Sequence, residues 1–404
     1  MRSFTRFLLL LLVFSIPWEE AVSLPRLGTV SSLLGYIVLC TAIPAIAFSG
    51  GLRKLNRTHL LISVYTFWCM TSYFWAIDQE ATTIEIWTLI RLVVLAWLVW
   101  EFAQEEKAQI QVMKAYLLGC CVTIVVLLQA AMEGKRVTIH EGIGIRYRAL
   151  GMNEDDLALL LVISIPISLY LGSIAHRRRK YSMWLFWVYA ISAGLGVVLT
   201  GARGGFLAMV GGLFFWGFTQ ARFSVKKWLV LGVLIAIVAL VSYYIVPESI
   251  LERLGGTITE LRTGDWSERK FIFQRGLDMF IVKPVVGSGF GCFISLVKRA
   301  AHNTFLAILV ETGLVGLVLF LCILASIVTG VRRLGKGQRY LWLTVLLMWC
   351  LGSLSIGWEN AKATWLIFGL VMAHSASSVK SERDKREAVM RPCHEGRTSR
   401  SFQS

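Results

Sequence analysis

Charged residues are scarce in this chain of 404 residues: Asp, Glu, Lys and Arg together supply only 16%, and acids number 25 against 41 lysines and arginines. So low a fraction excludes an ordinary soluble domain, which takes about a quarter of its residues from the charged types. The chain also lacks any hydrophilic stretch long enough to fold alone. Its eight cysteines include no CxxC and no His/Cys cluster of the kind that holds zinc. Cys40, Cys69, Cys120, Cys121, Cys322 and Cys350 sit inside apolar runs, Cys393 lies near the C-terminus, and only Cys292 is expected to face outside. No exported disulfide pair is therefore available.

Apolar residues make up 56% of the chain, and its mean hydropathy is +0.65. They gather into about twelve runs, each long enough to cross a bilayer core as a helix. The runs lie near residues 7–22, 28–49, 59–77, 83–102, 115–132, 156–175, 183–200, 204–219, 228–246, 304–329, 340–357 and 362–376. The fold class expected is all-α and polytopic. Residues 1–376 form one transmembrane domain with a large outer loop at 247–301. Residues 377–404 form a basic, disordered tail. Arg2 and Arg6 ahead of a short apolar run imitate a signal peptide, and both a first helix and a cleaved leader fit that pattern.

The net charge of +16 suggests nucleic acid until its placement is read. Arg53, Lys54 and Arg57 fall in one loop, Arg177 to Lys180 in another, then Arg222, Lys226 and Lys227, then Arg332, Arg333, Lys336 and Arg339. Each cluster follows an even-numbered run, so the basic loops and both termini are expected to be cytoplasmic. The charge sets topology.

Three loops then face outside. The first, 133–156, carries His140, Arg146, Arg148, Asn153 and the acids Glu154, Asp155 and Asp156. The second is the turn Thr200-Gly-Ala-Arg203-Gly-Gly205. The third, 247–301, holds Arg262, Trp266, Arg269 and Arg275, with an amphipathic helix expected around 268–280. Lys283-Pro284 would end that helix, and Gly287, Gly289 and Gly291 permit a tight path back. His302 would then open a membrane helix. Exposed N–H groups there favour anions and disfavour extra positive charge on the ring, leaving the neutral imidazole a general base requires.

Each residue also has a blander reading. His302 could satisfy a loop carbonyl, Arg203 could snorkel to headgroups, and Gly204, Gly205, Gly211 and Gly212 read better as packing positions than as a phosphate loop. Arg91, inside an apolar run with Glu85 nearby, has no assigned role. Against these stands the gathering of several arginines and one histidine on one side.

The motifs resemble those of the bacterial O-antigen ligase and O-antigen polymerase family, the O-antigen ligase-like membrane proteins. Four features match in order: Arg148-Ala-Leu-Gly151-Met-Asn153; Thr200-Gly-Ala-Arg203-Gly; Arg269 with Pro284-Val-Val-Gly287-Ser-Gly289-Phe-Gly291; and Ala301-His302-Asn303 with Glu311-Thr-Gly313. The resemblance implies a metal-independent, inverting glycosyltransferase of the bacterial inner membrane with a periplasmic site. Its donor would be a glycan on undecaprenyl diphosphate. The acceptor would be lipid A–core for a ligase, in lipopolysaccharide biosynthesis, or a growing glycan for a polysaccharide polymerase. It implies His302 as catalytic base, Arg203, Arg269, Arg148 and Arg146 as diphosphate ligands, and Asn303 and Glu311 as orienting residues, with no cofactor, metal or nucleic acid. Asp155-Asp156 is the nearest imitation of a metal-binding acid pair. A transporter or flippase of lipid-linked sugars is the rival from another class, but would show an internal repeat and charges through the midplane. A structural membrane subunit is a third reading.

Overall fold

The structure, a computed structural model, describes residues 1–24, 28–48, 51–134, 137–138, 145–220, 229, 232–233, 236, 248–255 and 269–390. The described chain is almost wholly helical. This is what low polarity dictates, since a helix satisfies each backbone group within its own segment.

The helices are α1 (Arg2–Ser15), α2 (Val30–Ala47), α3 (Arg57–Thr71), α4 (Gln79–Phe102), α5 (Glu106–Met132), α6 (Glu154–Arg177), α7 (Met183–Leu199) and α8 (Arg203–Gln220). They continue with α9 (Glu248–Gly255), α10 (Arg269–Val282), α11 (Phe293–Val297), α12 (Thr304–Arg332), α13 (Lys336–Ser353) and α14 (Lys362–Met390). Two 3-10 segments, Ile16–Ala21 and Ser72–Trp75, and two short antiparallel pairs complete the described elements, the pairs being Ser23–Leu24 with Gly28–Thr29, and Val137–Thr138 with Ile145–Arg146.

Among the described residues five helices are long and apolar enough to cross a membrane: α2, α4, α5, α6 and α12. The expected run at 228–246 lies almost entirely outside the described residues, as do His140, Arg262 and Trp266. The run at 7–22 is not one helix: α1 stops at Ser15, and a 3-10 segment, Ile16–Ala21, follows, with Pro17 at its start. α14 continues beyond 376 to Met390.

The centre of the bundle is α6. Every residue from Leu157 to Gly172 is buried, the signature of a helix apolar all round and surrounded by others. α7 packs along it, and α8 wedges between α6 and α13. The glycines of α8 permit that approach. A Cβ on Gly205 would stand 2.6 Å from the Ala158 methyl, and one on Gly211 2.9 Å from Leu351. Close contact of small residues is what joins helices where lipid is as apolar as leucine.

A second, smaller core sits at the end that carries the loops. Ile272 of α10, Phe293 and Val297 of α11, and Leu306, Ala307 and Val310 of α12 pack together there. α10 forms where the amphipathic spacing expects it. It lies directly on the start of α12, with Gly276 against Leu306.

Candidate functional site

His302 stands two residues before α12, and the start of that helix is pinned from both sides. The Asn303 side chain caps it, its Oδ1 accepting the Leu306 N–H at 2.9 Å while its Nδ2 donates to the Leu354 carbonyl at 3.2 Å. The Thr304 hydroxyl donates to the Ile356 carbonyl at 3.0 Å and accepts the Trp358 N–H at 2.7 Å. The turn after α13 is thus hydrogen-bonded to the first turn of α12.

His302 itself is half-buried, with φ at +47°. Few non-glycine residues adopt that left-handed conformation, and surrounding structure must hold it there. Burial lowers the pKa of the ring below the usual value of 6.5, and the Arg269 guanidinium lowers it further. Asp155 opposes, and Arg146 and Arg299 add to the depression. Three arginines and one aspartate therefore share a neighbourhood with the ring. Arg269 enters it as the first residue of α10.

The two arginines before α6 are placed by a tight turn. Arg146 pairs with Val137 in the short antiparallel ladder. Leu150 and Gly151 both take left-handed φ, at +60° and +78°, folding the chain back so that Asn153 can cap α6. Between the arginines, the Tyr147 N–H donates to the Leu199 carbonyl at 3.4 Å. That bond ties this segment to the end of α7, beside the turn where Thr200 accepts the Ala202 N–H at 3.2 Å and Arg203 starts α8. Gly204 and Gly205 here are packing positions, closing on Ser355 and Ala158.

Glu311 is elsewhere. Seven residues into α12 from Thr304, about 10 Å at the helical rise, its Oε1 accepts the Phe293 N–H at 3.1 Å. It holds the loop that leads to the histidine.

That loop and α12 are fastened by an exchange of backbone bonds. Gly313, at φ +69° and ψ −171°, breaks α12. In an unbroken helix the N–H groups of Leu314 and Val315 would bond to the carbonyls of Val310 and Glu311. Here they donate instead to Pro284 at 2.9 Å and Val285 at 3.3 Å. The freed carbonyls of Val310 and Glu311 accept from Ser288 at 3.0 Å and Gly289 at 2.9 Å. The glycine segment replaces the missing rungs. Trp68 adds its indole N–H to the Thr312 carbonyl at 2.9 Å, and Ile77 its N–H to the Ser288 carbonyl at 3.0 Å. A Cβ on Gly287 would stand 2.5 Å from the Gly313 nitrogen, so both positions exclude a side chain.

Several participants were not evident as such. Glu154, the first residue of α6 and 1% exposed, accepts the Arg148 Nε–H at 2.6 Å and lies 3.8 Å from Arg146. Its clue was three consecutive acids just after two arginines. Asp155 and Asp156 do not act as a pair: Asp155 stands 3.9 Å from Arg146, whereas Asp156 accepts the Trp358 indole N–H at 2.7 Å. Cys292 is fully buried, against the Thr82 hydroxyl at 3.3 Å, because α11 turns its N-terminus toward α4. Arg91 is exposed rather than buried, bonded to Trp87 and Thr88 of its own helix. It lines an apolar cavity of about 560 Å³ between α2 and α4, while Glu85 accepts from Asn360 at 2.8 Å.

Residues 188–321 match the family model described as O-antigen ligase. The match takes in Arg203, Arg269, the glycine segment and His302, and supports the resemblance to the O-antigen ligase-like membrane proteins. No curated protein matches the chain.

Proposed function

We propose that this protein is a membrane glycosyltransferase that moves a glycan from an undecaprenyl-diphosphate carrier to an acceptor at the periplasmic face of the bacterial inner membrane. The acceptor is lipid A–core, making the enzyme an O-antigen ligase. The observation that carries this reading is the convergence of Arg269, Arg146 and Arg299 on a histidine whose ring favours the neutral form, in a chain that matches the O-antigen ligase family between residues 188 and 321.

In the proposed step His302 takes the proton of an acceptor hydroxyl as its oxygen bonds to the anomeric carbon of the donor. The bond from that carbon to the diphosphate oxygen breaks, and undecaprenyl diphosphate leaves with the electron pair. Attack opposite the leaving group inverts the anomeric centre. Arg203, Arg269, Arg148 and Arg146 hold the diphosphate through paired N–H donors, taking the electrostatic role a metal ion fills elsewhere. Asn303 and Glu311 act through the backbone: the first fixes the start of α12, the second the loop before it.

The decisive experiment offers purified protein a lipid-linked glycan and two acceptors in the presence of chelator. Glycan attached to lipid A–core is the expected product. Chain extension instead identifies a polymerase. Movement of the lipid-linked sugar across the membrane without either product makes the protein a flippase, and loss of transfer in chelator removes the metal-free mechanism.

A further inference from the structure

Glu154 is a nearly inaccessible carboxylate that the step above does not use. It lies at the first position of α6, where the positive end of the helix favours an anion. Its two oxygens face different arginines. Oε1 accepts the Arg148 Nε–H at 2.6 Å, and Oε2 stands 3.8 Å from an Arg146 terminal nitrogen. Asp155 reaches the same Arg146 nitrogen at 3.9 Å. The two guanidiniums are not equivalent. The Arg146 side chain is 12% exposed, and its Nε is buried without a hydrogen-bond partner among the described residues. The Arg148 side chain is 44% exposed, and no second described group hydrogen-bonds its guanidinium.

A guanidinium carries five N–H donors in a rigid plane. Occupying Nε fixes that plane and leaves the edge with both terminal nitrogens open. Such an edge matches two oxygens of a phosphate. Held only by its flexible stem, the same arginine would sample many rotamers and lose that freedom on binding.

We propose that Glu154 is a positioning residue: it grips Arg148 by Nε, and so presents the two terminal N–H groups as a ready-made fork for a phosphate of the lipid-linked donor. The inference rests on the transferase reading and deepens it, by giving a buried acid the task of organising a phosphate site.

Two effects of Glu154 oppose one another, and this makes the idea testable. Its negative charge repels a phosphate, but at a half-exposed guanidinium solvent screens that to about a twofold effect. Its grip on Arg148 concerns a charge-assisted hydrogen bond, whose loss is worth about tenfold in binding. Positioning wins if the inference is right. A purely electrostatic role gives the opposite sign.

The test measures donor KM, acceptor KM and kcat of full-length protein for wild type, Glu154→Ala, Glu154→Gln, Arg148→Ala and the Glu154→Ala/Arg148→Ala pair. Glu154→Ala is expected to raise donor KM by about tenfold while acceptor KM stays within twofold. Glu154→Gln, which keeps an oxygen to accept the Nε–H, should fall between wild type and alanine. If the alanine variant does not fold, the glutamine variant decides, with a severalfold rise in donor KM expected. The double variant should be less than the product of the singles, since one residue acts through the other. Folded Glu154 variants whose donor KM is unchanged or lower, beside an Arg148→Ala that raises it, overturn the inference and leave the transferase reading standing. Wild-type protein that transfers nothing from an authentic donor sinks that reading instead.

Discussion

The backbone of His302 offers a clean way to separate its chemistry from its packing. At φ +47° most replacements are strained, but asparagine tolerates the left-handed region better than other residues. His302→Asn is therefore expected to insert and melt like the wild type while transfer falls by about 10²–10⁴-fold, the usual worth of a general base. A folded variant that retains transfer within a few-fold would return the histidine to a structural role. The depressed pKa gives a second prediction. Burial and Arg269 hold the ring neutral below its ordinary value of 6.5, so lowering the pH through 6.5 should leave the base intact. The acid limb of kcat/KM, which reports the free protein, should appear below about pH 6.5. A limb centred above that value would mean another group titrates. His302, Arg203 and Arg269 could be singled out in the sequence because each sits beside a glycine or a helix start. Glu154 could not, because which arginine an acid grips depends on a turn at Leu150 and Gly151 that no periodicity records.

At the scale of elements, α12 is the instructive case. Its residues 304–329 read as one uninterrupted apolar run, and nothing in that pattern marks a break. The break at Gly313 exists because another segment supplies the lost hydrogen bonds, an interaction between parts of the chain some 26 residues apart in a register hydropathy does not carry. Gly313→Ala should be severe. Its Cβ would come within 2.2 Å of the Val285 carbonyl oxygen at a φ of +69°, where strain alone costs about 1–3 kcal/mol. A marked fall in Tm in detergent, with loss of transfer, is the expected result. Gly35→Ala makes the contrast: it lies inside α2 with nothing within 4 Å of the new methyl. Alanine's better helix propensity, by about 1 kcal/mol, should leave that variant at least as stable. Equal melting of the two would show that the exchanged rungs contribute nothing. By the same logic the runs that became α4 to α8 were plain from composition, whereas α1 ended early because Pro17 and a 3-10 turn intervene.

For the whole molecule the quantity to test is orientation, which the alternation of basic loops is expected to set in advance of any contact. Buried Cys292 is a poor reporter of it. Lys298, exposed at the end of α11, is a good one. In intact cells made permeable only at the outer membrane, Lys298→Cys should react with an impermeant maleimide, and Arg179→Cys, in the loop after α6, should not. The reverse pattern would overturn the topology and with it the periplasmic chemistry. The exchanged backbone bonds of Pro284–Gly289 and Val310–Val315 bear on the integrity of the molecule as well. They lie on either side of Lys298 and Arg299, both exposed. A protease that cuts after either residue severs the polypeptide between two halves already stitched together. The nicked product should run as two bands when denatured and as a single particle in mild detergent, with His302 still anchored through Asn303 and Thr304. Covalent continuity at that point is then expected to be dispensable, so that two separately encoded chains meeting there should assemble into the same molecule.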